Sequence, residues 1–160
     1  MGELLGVARQ ARKIAGYAYD AGVTDAKELV VSVAVCLSES QGYDRAYNDN
    51  VVNGVVKSRD VGLWQINIDA DQIGTSVEEN LYDVHNNAEA MFAKYAERGW
   101  QPWVAFNTKT YLHDTYVQRA SLGVMNFLAE MLHNRAVAAG QSPATPVPMV
   151  SLKQLQKLLA

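Results

Sequence analysis

A single cysteine, Cys36, stands in these 160 residues, so no internal disulfide can form. It lies in the apolar run Val33-Ala34-Val35-Cys36-Leu37, the setting of a buried, inert thiol. A nucleophilic thiol needs a polar, electropositive niche, which this run does not offer. No run of Lys or Arg exists and the formal net charge is −3. Nucleic-acid binding therefore has no electrostatic footprint, and an anionic polymer would have to be gripped by local contacts. The three histidines, His85, His113 and His133, are scattered. None forms a HExxH or Cys/His pattern, and no phosphate-binding glycine loop occurs, so neither a metal nor another cofactor is expected. No stretch is long and apolar enough to span a membrane, and no membrane insertion is expected. The first 22 residues mix Glu3, Arg9, Arg12, Lys13 and Asp20 into apolar positions, unlike a signal peptide with its separate apolar block. Synthesis in a cytoplasm without a secretory address is the expectation, as a monomer. Proline is scarce, and three of the four prolines crowd into 143–148. That crowding marks a linker over 141–150, with a domain over 1–140 before it. After it, Leu152, Leu155, Leu158 and Leu159 mark a short amphipathic helix over 151–160, too short to be a domain.

What is present is helical periodicity. Leu4, Val7, Ala8, Ala11, Ile14, Ala15 and Ala18 predict a first helix over Glu3–Ala21, ended by Gly22. Asp25 and Glu28 have capping-box spacing and open a second helix, apolar nearly all round through Leu37 and so buried on most sides. It delivers Ser38-Glu39-Ser40 and stops at Gly42. Residues 43–54, rich in Asn, Asp and Tyr, read as a loop. Alternation from Leu63 to Ile68 reads as a short hairpin or extended segment. Asp83–Arg98 is a third helix, capped by Asp83 and ended by Gly99. A short helix around Val104-Ala105-Phe106 follows, with Pro102 in a first-turn position, and then a long helix over Asp114–Ala139. The fold class is mainly α, with a small β-hairpin forming one wall of a cleft.

The loudest chemical feature is Glu39, a carboxyl delivered by the most apolar helix of the chain. A carboxyl at the edge of an apolar wall keeps its proton, because desolvation disfavours the anion. A solvated glutamate at a helix end is the plain alternative. Three Trp and eight Tyr against three Phe favour side chains with a flat apolar face and a polar tip, which suit either core or sugar groove.

Read together, Ser38-Glu39-Ser40, then Gly62-Leu63-Trp64-Gln65-Ile66-Asn67, then Trp103-Val104-Ala105-Phe106-Asn107 resemble the lysozyme-like superfamily. The nearest part is the soluble lytic transglycosylase domain found in phage endolysins and tail lysins. The resemblance runs over roughly Val30–Tyr111. It implies an α+β lysozyme-like fold, cleavage of the glycan strands of peptidoglycan, and Glu39 as general acid. Here Phe106 replaces the tyrosine of the family's Ala-Tyr-Asn segment. Ser58-Arg59-Asp60-Val61-Gly62-Leu63-Trp64-Gln65-Ile66-Asn67 also looks like the segment of c-type lysozymes that carries their second catalytic carboxylate. That resemblance implies a catalytic Asp60, a residue that lytic transglycosylases lack. A turn-forming Asp60 remains the other reading. As substrate contacts the resemblance and the chain order suggest Ser40, Ser58, Gln65 and Asn67, with Tyr43 and Tyr47 on a groove wall, Trp103 and Asn107 closing the far side, and Tyr111 reaching the acid. Gln65 and Asn67 are open to a hairpin-stabilising role, and Trp64 reads as core. The resemblance further implies a phage lysin, reaching the wall through a holin or as part of the virion, with 151–160 as the start of a wall-binding domain.

Overall fold

In the computed structural model of the chain, residues 3 and 5–141 are described. The terminal helix expected at 151–160, and all of the expected linker but Gln141, lie outside them. The elements run α1 (Ala11–Ala21), α2 (Ala26–Ser40), β1 (Tyr47–Val52), β2 (Val55–Val61), β3 (Ile66–Asp69), α3 (Ser76–Leu81), α4 (Val84–Arg98), α5 (Val104–Asn107) and α6 (Asp114–Ala138). The three strands form one antiparallel sheet in the order β1-β2-β3. The chain is thus mainly α with a small sheet to one side, as expected.

Helix α2 is the axis of the core. The Asp25 carboxylate caps it by accepting the Glu28 N–H at 3.0 Å, which satisfies one of the first-turn donors. Leu29, Val33, Ala34, Val35, Cys36 and Leu37 are all fully buried, because α1, α4, α6 and the 62–66 segment surround them. Cys36 is inert as expected, since burial pushes its thiol up to about 12. Helices α1 and α6 touch at Gly123, where a Cβ would lie 2.5 Å from that of Ala11. The expected α4 is present, with Asp83 accepting from His85 and Asn86 at its start.

The first helix starts later than its periodicity predicts. Glu3 and residues 5–9 are not helical and give their backbone hydrogen bonds to the loop after α2. Arg9 N–H donates to the Gly42 carbonyl, and Asp44, Arg45 and Tyr47 donate to Val7, Leu5 and Glu3. The Asp44 carboxylate accepts from Val7 N–H and from Arg9 Nε, both at 2.8 Å. This tertiary pairing outbids the helical pattern of so short a segment.

The expected loop over 43–54 contains β1. Val52-Asn53-Gly54-Val55 is a two-residue hairpin connection, with Asn53 at φ +52° and Gly54 at φ +76°, the left-handed geometry that suits the strand twist. The short α3, capped by Thr75, lies in a region with no predicted element. Pro102 precedes Trp103, the N-cap of α5, rather than sitting in its first turn.

Candidate active site

Glu39 sits in the last turn of α2, half-buried, where the sheet and α5 converge. Its Oε1 accepts the Ala105 N–H, from the first turn of α5, at 3.1 Å. Burial pushes its pKa above the usual carboxylate range; the Ala105 N–H opposes the shift and the charge of Asp60 adds to it. The alternative of a freely solvated helix-end glutamate does not hold. Glu39 and Asp60 come from different layers of the fold, yet the charge of Asp60 reaches Glu39 and helps to raise its pKa.

Asp60 lies on β2, and both of its carboxylate oxygens are held. Oδ1 accepts from Asn67 Nδ2 at 2.8 Å and Oδ2 from Asn50 Nδ2 at 3.0 Å. The Ser58 hydroxyl oxygen accepts from the same two amides, at 3.1 Å from Asn50 and 3.0 Å from Asn67. An ionised carboxylate only accepts hydrogen bonds, so a pair of amide donors suits it. Asp60 does not bond its own turn; it belongs to a polar ladder on one sheet face. The register explains the grouping. Asn50 stands opposite Ser58, Asn48 opposite Asp60, and Asp60 opposite Asn67. Asn48 and Asn50 were not foreseen, because their strand was read as a loop.

The two carboxyls therefore occupy contrasting surroundings. One is desolvated and prone to keep its proton; the other is polar and fixed by donors. We expect the Glu39 carboxyl carbon to titrate by NMR above the chain's ordinary glutamates. In Asp60→Ala the midpoint should fall, because a neighbouring negative charge is gone. An unmoved midpoint would mean that the two do not sense each other.

Other predicted contacts have structural employment. Ser40 is fully buried, and its hydroxyl donates to the Cys36 carbonyl at 3.0 Å and accepts from Gly42 N–H at 3.2 Å. It closes the helix rather than facing a groove. Gln65 donates its amide to the Ala46 and Gly62 carbonyls at 3.1 and 2.8 Å, the hairpin-stabilising alternative. Trp103 is buried, its indole donating to the Trp64 carbonyl at 2.7 Å, so it joins the core instead of closing the groove. Trp64 is core as expected, its indole on the Ser32 carbonyl at 3.0 Å. Tyr47 packs its ring under the Arg59 guanidinium, 4.1 Å from CZ to the ring centroid. Arg59 alternates to the sheet face opposite Asp60, so Tyr47 does not line the same wall. Tyr43 is half-buried and its backbone bridges Ala8. Asn107 is exposed and donates to the Gln101 carbonyl at 2.8 Å. Tyr111 stacks on Phe106 with centroids 5.2 Å apart. Burial, then the charge of Glu28, raises its hydroxyl pKa.

Asn87 was also missed. It is 1 % exposed, yet it binds three backbone groups. Its Oδ1 accepts from Trp64 N–H at 2.9 Å, and its Nδ2 donates to Val61 and Leu81 carbonyls at 2.9 and 2.8 Å. It clamps the 62–65 turn that follows Asp60. Gly62 must be glycine there: φ is +76°, and a Cβ would lie 2.3 Å from the Asn87 amide nitrogen. Behind the sheet, the buried Glu78 accepts from Arg59 at 2.9 Å, Tyr82 at 2.7 Å and Gly74 N–H at 2.6 Å. Burial alone would raise its pKa, but these donors together hold it below the usual range. Two sizeable cavities, of 520 Å³ between α1 and α6 and of 630 Å³ around Arg45 and Tyr82, lie away from Glu39. Glu39 itself is tied to α5 by the Ala105 N–H and lies within reach of the charge of Asp60 on the sheet.

Among the described residues, no group of three or more His, Cys, Asp or Glu is arranged to hold a metal ion. No described helix is long and apolar enough to cross a membrane. Neither a curated protein nor a solved structure matches the chain significantly. A family model described as a lysozyme-like domain matches residues 15–105, which span α1 to the first turn of α5 and include both Glu39 and Asp60. With that match over more than half of its length, and with a mainly helical fold beside a small sheet, the chain belongs to the lysozyme-like domain family.

Proposed function

We propose that this domain cleaves the β-1,4 bond between N-acetylmuramic acid and N-acetylglucosamine in peptidoglycan, with Glu39 as proton donor and Asp60 as the second carboxylate. The lysozyme-like family is one of peptidoglycan-acting glycosidases. The observation that carries the finer reading is the contrast between a desolvated Glu39 and an amide-held Asp60 whose charge reaches it.

Glycosidic cleavage needs a proton at the leaving oxygen and negative charge beside the positive sugar that forms. Glu39 supplies the proton as the bond to the leaving sugar breaks. Asp60, kept in place by Asn50 and Asn67, stabilises or captures the sugar cation on the other side. Glu39, now a carboxylate, takes a proton from the incoming water, whose oxygen completes a reducing end. A rate that depends on protonated Glu39 declines as pH rises through its elevated pKa, giving an alkaline limb. The amide-held carboxylate favours this route over one in which Glu39 acts alone and the muramic 6-hydroxyl closes an anhydro ring.

The test is mass spectrometry of fragments released from purified peptidoglycan. Reducing-end muropeptides are expected from the wild type. In Asp60→Ala the rate should fall about 10²-fold, the usual cost of removing one preorganised electrostatic partner of a transition state. Anhydro ends, with Asp60→Ala unimpaired, would remove Asp60 from the mechanism. No release at all would leave a glycan-binding module of the same fold.

A further inference from the structure

The polar ladder does not end at Asn50 and Ser58; it runs into an aliphatic pair at the hairpin tip. Between Asn50 and Val51 the register shifts, and Lys57 becomes the extra residue of a bulge on β2. Beyond the bulge, Val51 pairs with Val56 and Val52 with Val55. Alternation along β1 keeps Asn48, Asn50 and Val52 on one face, and Val55 shares that face as the partner of Val52. The groove face thus reads, outward from Asp60, as amide and hydroxyl groups followed by two branched aliphatic side chains. Val52 is 52 % and Val55 53 % exposed, although a bare valine pair at a hairpin tip gains nothing from water. Strand rise sets Val52 about 14 Å from the position of Asn48, beyond the groups that bracket the scissile bond. Lys57 is exposed and has no ion-pair partner among the described residues.

We propose that the Val52–Val55 tip, with Lys57, is a subsite for the peptide stem that peptidoglycan carries on its muramic residues. This rests on the reading of the groove as a glycan site. The sugar ring offers hydroxyls and a flat C–H face, which call for amides and aromatic rings. The tip has no aromatic ring. Two branched aliphatic side chains on a hairpin that also carries a cation match a ligand with small alkyl groups and a carboxylate, as in the alanine-containing stem. The stem leaves the glycan laterally, and the tip lies at the outer end of the same face.

The test compares wild type with the double variant Val52→Thr/Val55→Thr, in which shape and strand propensity are kept and an apolar methyl becomes a hydroxyl. Each acts on two substrates: intact strands, and the same strands stripped of stems by an amidase. The variant is expected to raise KM about tenfold on intact strands, the scale set by losing a few alkyl contacts, and to leave KM on stripped strands unchanged. A Lys57→Gln variant should do the same to a lesser degree. Equal effects on the two substrates, or none on either, would overturn the subsite. Wild type inactive on both would instead defeat the catalytic reading. The subsite is then decided by NMR titration with the soluble stem peptide, where shifts at Val52, Val55 and Lys57 that the double variant abolishes support it and their absence overturns it.

Discussion

Glu39→Gln is expected to slow strand cleavage by about 10²–10⁴-fold, the contribution of a positioned general acid. The glutamine Oε1 still accepts the Ala105 N–H, so the side chain stays where it was, but it has no proton to give. Stability should move the other way. Glu39 has a folded-state pKa above its unfolded value, with burial as the main cause. The stabilisation linked to its proton is therefore fully present below the ordinary glutamate range and is lost as pH rises through the folded pKa. At neutral pH the ionised Glu39 is a burden on the fold. Gln removes that burden, and thermal unfolding of the variant should occur a few degrees higher, for a gain of about 1 kcal/mol. In acid the difference should close. Activity lost with stability gained is the signature of a catalytic group held at a structural cost. Undiminished activity, or a lower melting temperature at neutral pH, would remove Glu39 from that role.

Asn87→Leu is expected to be the most damaging single change outside the groove. Leucine matches asparagine in shape, but the Trp64 N–H and the Val61 and Leu81 carbonyls lose their partner in a dry site. Each stranded buried group costs about 1–3 kcal/mol, so a loss of about 3–5 kcal/mol is expected. Urea unfolding read by circular dichroism gives the number from the shift in midpoint. Asn87→Asp sharpens the argument. Its carboxylate can still accept from Trp64 N–H, but its other oxygen faces two carbonyl oxygens. It should be destabilised at neutral pH and partly restored in acid, where a protonated oxygen can donate to one of them. A midpoint within 1 kcal/mol of wild type for Asn87→Leu, by the same urea scale, would show that water satisfies these groups instead.

The helices that position the acid were readable because several local signals agree. Asp25 with Glu28, and Asp83 with Gly99, bracket periodic runs long enough to dominate their surroundings. The strap over residues 3–9 has the same period in its sequence, yet what decides it is a loop some 35–45 residues away, through Asp44. Nothing local announces that. The β1 strand was hidden by composition, since Asn48, Asp49 and Asn50 read as loop residues, although Asn53-Gly54 flanked by valines is a strong hairpin signal. Even that signal, extended by strict pairing, would set Asn50 opposite Lys57. Only the bulge brings Ser58 and Asp60 to it. Glu39 stands out in sequence as a carboxyl on the most apolar helix and Asp60 through family resemblance, while several of the neighbouring contacts named from the same motifs have backbone partners instead. Ser40 follows the acid, Gln65 sits in the turn and Trp103 opens the third motif, but their polar atoms are spent on backbone groups that the fold would otherwise leave unpaired. A buried asparagine among Asn86-Asn87 looks, from sequence, like any polar helix start.

Glu39 hangs from the helical layer and Asp60 from the sheet, and the Trp64 and Trp103 indoles and the Asn87 amide are among the clasps that tie the turn beside the sheet to the helices. The gap between the carboxyls is consequently a property of a seam rather than of either layer. On warming, the seam can loosen while both layers keep their backbone ladders. Inactivation should therefore run ahead of the loss of ellipticity, and turnover becomes a more sensitive gauge of that joint than any bulk measure of folding.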